Sequence, residues 1–141
     1  MAYSNQISTH IPDKDLKEIL DAIKFINDKL SKLVILSKEE KASLPKMKKN
    51  TVEFVYDCLK IAEENPETVP NDVDVEEIKK DITLIQSIFK ISQPINDLKK
   101  KLDDSVILAG SEAYLPSIAI HNSYQAFEIK YKNNKQKVSK V

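Results

Sequence analysis

The chain has 141 residues, the length of one ordinary domain and enough to bury a core without a disulfide or a metal. Its single glycine, Gly110, disfavours a sheet-rich fold built on tight hairpins. All 22 basic residues are lysine, which removes the planar guanidinium fork that grips phosphate. The 22 acidic residues bring the formal net charge to zero, so no bulk field draws the chain to nucleic acid or to an anionic membrane.

Residues 1–12 read as a flexible lead. They lack the basic and apolar regions of a secretory signal, and the longest apolar runs anywhere are about four residues, far short of a membrane span. A cytoplasmic location in a bacterial cell is expected, with Cys58, the only cysteine, left unpaired. Acidic Asp13, Asp15 and Glu18 suit the start of a helix over about 13–35. Leu16, Ile19, Ile23, Ile26, Leu30 and Leu33 follow at alternating spacings of 3 and 4, a strict heptad stripe that Leu20 and Val34 widen. Ser37 and Glu40 have the spacing of a capping box, which predicts a short turn over 38–43.

Pro45 ends that turn, and a second long helix is predicted over about 46–64. It would bury Met47, Val52, Phe54, Val55, Cys58, Leu59, Ile61 and Ala62. The clearest loop begins at Asn65-Pro66 and includes Pro70, Asn71 and Asp72. Asp74 and Glu77 then open a helix over about 75–92, striped by Val75, Ile78, Ile82, Ile85 and Phe89. Ser92-Gln93-Pro94 is expected to break or kink it. From Ile95 to Tyr131 the apolar residues keep helical phase although Gly110 and Pro116 lie inside the run. Two arrangements fit: one long helix bent near 110–116, which the continuous phase favours, or two helices joined at Gly110-Ser111. The lysine-rich stretch 132–141 reads as a disordered tail. The whole predicts an all-α domain over 13–131, folded as an antiparallel four-helix bundle.

Several landmarks occur together: Leu44-Pro45-Lys46-Met47, Phe54-Val55, Asn65-Pro66, Val69-Pro70, Asp74-Val75-Glu76-Glu77, Leu102-Asp103-Asp104 and Gly110-Ser111-Glu112-Ala113-Tyr114. In these the chain resembles, over about 13–131, a family of short uncharacterised helical proteins from bacteria of the Bacteroidetes type. The resemblance implies no activity and no site residues. Alanine is common in that family where Pro116 stands here, which implies a helix running through this position.

No motif carries catalysis, and no catalytic residue, metal ligand or cofactor is expected. A carboxylate-bridged metal bundle needs Glu-x-x-His pairs, but Ile7 and Ile118 stand three residues before His10 and His121. Asp103 and Asp104 point about 100° apart on a helix and cannot share a proton, so Lys99–Asp103 and Lys100–Asp104 read as surface pairs. Cys58 lies on an apolar stripe, as buried free cysteines do. One glycine cannot build a phosphate loop or a dinucleotide fingerprint.

The candidate docking groove is Gly110, Ser111, Glu112 and Tyr114, with His121 beyond them. The small residues Ala109, Gly110, Ser111 and Ala113 would let another backbone approach. Close packing inside the bundle is the plainer reading, and it is favoured. The basic end, from Lys130 to Lys140, reads as a solubilising terminus before it reads as a site for RNA or an acidic partner. The leading expectation is therefore a non-enzymatic protein–protein interaction module that pairs with itself as a homodimer or with another protein, without membrane or nucleic acid. A ligand- or metal-binding bundle is the alternative, and weak nucleic-acid binding through the basic end comes third.

Overall fold

The computed structural model describes residues 3–49 and 51–139, the side chains of 138 and 139 excepted. Among them every regular element is helical: α1 (Asp13–Lys29), α2 (Lys38–Ser43), α3 (Thr51–Glu64), a 3₁₀ turn (Pro66–Thr68) and α4 (Val75–Ser139). The chain divides into two units, Ile11–Ser92 on the one hand and Met1–His10 with Gln93–Val141 on the other, and α4 contributes to both.

In the unit Ile11–Ser92, α1 is shorter than the stripe predicts. Leu30 leaves helical geometry at φ −100°, its N–H shared between the carbonyls of Ile26 and Asn27, so Leu33 and Val34 lie beyond the helix. Two causes act there. The β-branched pair Val34-Ile35 is a poor helix continuation, and Ser37 must be extended (φ −68°, ψ 165°) to cap α2. That cap is the predicted box: Ser37 Oγ accepts from the Glu40 N–H at 3.1 Å, and Glu40 Oε2 accepts from the Ser37 N–H at 2.8 Å.

The second predicted helix also starts late, at Thr51 rather than near 46. Lys46, Lys48 and Lys49 would crowd positive charge at the positive end of a helix dipole. Lys46 instead turns its ammonium to the carbonyls of Lys41, at 2.6 Å, and Leu44, at 3.2 Å, near the negative end of α2.

Two contacts give the direction of α3 against the first turns of α4. Tyr56 meets Gln86 and Glu63 meets Lys79, so advancing seven residues on α3 retreats seven on α4. The two helices run antiparallel. Between them Val55, Leu59 and Ala62 are half-buried, as are Ile78, Ile85 and Ile88, while Ile82 is buried at 8% exposure. Phe89, assigned to this stripe by spacing, is 66% exposed, and Ile88 takes the inward place. Met47, Phe54 and Ile61 are exposed, and so is Cys58, which corrects the expectation that these four are buried. The stripe of α1 is bare: apart from half-buried Leu30 its residues are exposed.

α4 opens on Asp74, whose Oδ1 accepts from the N–H groups of Glu76 at 3.0 Å and Glu77 at 3.3 Å. Of the break or kink expected at Ser92-Gln93-Pro94, the break does not occur: the predicted helices 75–92 and 95–131 are one helix. A proline removes one helical hydrogen bond and crowds one carbonyl. Here each proline is flanked by long helical stretches, which carry the helical assignment past the lost bond. After Pro94 the helix is braced by Lys99–Asp103 at 2.5 Å; after Pro116, Ser117 Oγ donates to the Ala113 carbonyl at 2.6 Å. The helix also continues through Gly110, whose φ is negative. The stretch expected to be a disordered tail is helical as far as Ser139; 140 and 141 lie outside the described residues. Extending an existing helix needs no new nucleus, and lysine near its C-terminus suits the dipole.

Candidate functional site

Each unit has a concave surface. In Ile11–Ser92 a groove of about 430 Å³ lies between α3, the loop after it and the start of α4. Phe54, Val55, Leu59, Val69 and Ile78 make its walls, and Cys58 is its only thiol. The loop is fixed by Thr68, which donates from Oγ1 to the Asn65 carbonyl at 2.7 Å. Residues this apolar can hold a hydrocarbon surface by exclusion of water, but they offer little to orient a polar ligand.

The second concavity, about 220 Å³, lies in the other unit, where residues 3–7 run along α4. Tyr3, Ser4 and Gln6 form one wall; Leu108, Ser111, Glu112, Leu115 and Pro116 form the other. The anchor is Glu112. Its Oε1 accepts from the Gln6 N–H, and its Oε2 accepts from the Ile7 N–H at 3.3 Å. Ser105, Leu108, Glu112, Pro116 and Ala119 are the half-buried residues of this part of α4, and they share one face.

The five residues of the candidate docking groove therefore separate. Ser111 and Glu112 belong to the face that carries the N-terminal segment, so part of the predicted groove is filled by the chain itself. Gly110, Tyr114 and His121 lie 4 and 7 residues apart along a different face, about 100–180° away at ~100° per residue. That face is open: beyond the adjoining helix backbone and neighbouring residues, no heavy atom lies within 4 Å of where a Gly110 Cβ would stand, and Tyr114 is 66% exposed. Sequence reasoning missed the N-terminal segment as a partner of Glu112. Its only signal was Ile7, an apolar residue in a polar lead, half-buried here.

Among the described residues no three His, Cys, Asp or Glu side chains gather as metal ligands, and no helix is long and apolar enough to cross a membrane. The Lys79 ammonium titrates above its ordinary value. Hydrogen bonds that it donates to Glu63 and then to Glu76 raise it above its ordinary 10.5. Compared with known protein families, curated proteins and solved structures, the chain finds no match.

Proposed function

We propose that this protein is a non-enzymatic helical interaction module, kin to the Bacteroidetes-type helical proteins it resembles, whose working surfaces are the uncovered apolar faces of its helices. The observation that carries this reading is the contrast between periodicity and burial. Leu16, Ile19, Ile23 and Ile26 on α1 repeat in strict heptad register yet all are exposed, and so are Leu98, Leu102, Val106, Ile120, Tyr124 and Phe127 on α4. Isolated apolar side chains on a surface are ordinary, but contiguous stripes of them mark interaction sites. The antiparallel four-helix bundle belongs to this proposal as the assembled state, in which helices laid on these faces complete the layers that α3 and α4 begin. Covering one such Leu or Ile contributes about 1.5–3 kcal/mol.

Chemistry at either concavity has less in its favour. Glu112 already accepts two backbone N–H groups, and the larger groove has only a thiol and a threonine hydroxyl among its hydrocarbon walls. Light scattering across a micromolar concentration series tests the reading. A mass above that of one chain, with amide exchange slowing in α1 or α4 as concentration rises, is the expected result. A single-chain mass throughout, with the stripes already protected at the lowest concentration, would mean that the faces close within one chain, and the proposal would fail.

A further inference from the structure

Resting on that reading, we infer that the occupant of the α4 stripe between Ile95 and Phe127 is the same stripe of a second copy, laid antiparallel across a two-fold axis near residue 111.

Three observations carry this. First, the stripe is free. The N-terminal segment occupies the face of Ser105, Leu108 and Glu112, leaving Val106 72% and Ile120 69% exposed. Second, apart from Val106, whose mirror position is Pro116, the stripe is the same in character read outward from residue 111 in either direction. Ala109 answers Ala113, Leu102 answers Ile120, Leu98 answers Tyr124 and Ile95 answers Phe127. In a two-fold interface a residue i that meets j has its counterpart j meeting i, so a stripe mirrored about its centre fits its own copy when the two run antiparallel. The alanines at the centre let the helices close to the short end of the ~8–10 Å interaxial range, and large side chains fill the ends. The paired length is about 50 Å at ~1.5 Å per residue.

Third, charge selects the direction. Asp97, Lys99, Lys100, Lys101, Asp103 and Asp104 crowd one half, whereas residues 113–127 contain no Asp, Glu or Lys. An antiparallel pair sets the charged half of each copy against the uncharged half of the other. A parallel, in-register pair would set each of these charges beside its own copy, and like charges so placed are destabilising. The antiparallel arrangement also brings Glu128 of one copy to the same flank as Lys99 of the other, within reach of two long side chains.

The test uses the full chain with a zero-length amine–carboxylate coupling reagent. Glu128 and Lys99 are about 40 Å apart along one helix at ~1.5 Å per residue, so a link between them must join two antiparallel copies. The expected result is that link in a species with the mass of two chains. A second measurement uses Leu98→Cys and Tyr124→Cys, each in a Cys58→Ser background, under copper-catalysed air oxidation. Mixing the two variants should give a disulfide-linked heterodimer, and Leu98→Cys alone should give almost none. A two-chain species in which Leu98→Cys links readily to itself and Glu128–Lys99 coupling is absent would overturn the antiparallel inference while leaving the interaction-module reading intact. A single-chain mass at every concentration, with the stripe protected, would overturn both.

Discussion

Glu112 is the residue on which one unit closes. A carboxylate accepting two backbone N–H groups makes charge-assisted hydrogen bonds, stronger than neutral ones, and here both come from a segment without regular structure of its own. Glu112→Ala removes the acceptors and leaves the helix intact, since alanine is the best helix former. Amide exchange at Gln6 and Ile7 is expected to accelerate at least several-fold, with α4 around residue 112 unchanged; equal exchange in both proteins would mean that Ile7 packing alone holds the segment. Lys79 acts in the other unit. It lies 3.2 Å from Glu63 on α3 and 3.3 Å from Glu76 on its own helix. Because its folded value is raised above 10.5, its stabilising contribution is whole below that pH and is lost as pH climbs through the higher folded value. The melting temperature should therefore fall more steeply above pH ~10.5 in the parent than in Lys79→Met. The difference should shrink with added salt, since the pair is open to solvent.

The antiparallel pair of α3 with the first turns of α4 is where apolar burial is concentrated, and it depends most on Ile82. Truncating a buried isoleucine costs 2–5 kcal/mol in well-packed cores, and this thin seam places Ile82→Ala near the low end, at about 2 kcal/mol. Phe89→Ala, a larger deletion at an exposed position seven residues on, should change stability by less than about 0.5 kcal/mol. Urea denaturation of the two variants checks the contrast, and equal losses would show that Phe89 packs as its spacing suggests. That spacing misled because Val75, Ile78, Ile82, Ile85 and Phe89 follow a strict 3,4 alternation, whereas burial passes instead through Ile85 to Ile88. What was legible was local. Ser37 with Glu40, Asp74 as a cap, and Asn65-Pro66 as a stop each act within a few residues, so the chemistry is written in adjacent letters. What was not legible depended on competition over distance. The end of α1 at Lys29 reflects the demand of the next cap, and the persistence of α4 through Pro94 reflects the helix on either side outweighing one lost bond. Of the candidate site, Ser111 and Glu112 lie where residues 3–7 run along α4, and that segment was not legible because it gives almost no periodic signal.

At the scale of the molecule, the sequence carries more apolar pattern than one chain uses. Fixing a residue's backbone costs about 1–2 kcal/mol of conformational entropy, and helices in water are held chiefly by the packing of an apolar face. α1 and the part of α4 beyond Gln93 have such faces, yet Ile82 is the only buried hydrophobic residue among those described. Ion pairs do not make up the difference: Lys14–Glu18, Lys80–Glu77 and Lys99–Asp103 are all exposed, and such pairs contribute about 0–1 kcal/mol each. If association supplies the missing burial, folding and assembly are one equilibrium, and stability must follow concentration by mass action. The melting temperature followed by helical ellipticity should therefore rise steadily over a hundredfold increase in chain concentration. Ala113→Glu, which places a charge at the centre of the proposed antiparallel pair without touching the seam of α3 and α4, should lower it and flatten its dependence on concentration. A transition independent of concentration in both proteins would show that the apolar faces are satisfied within each chain, and assembly would then have no energetic reason to occur.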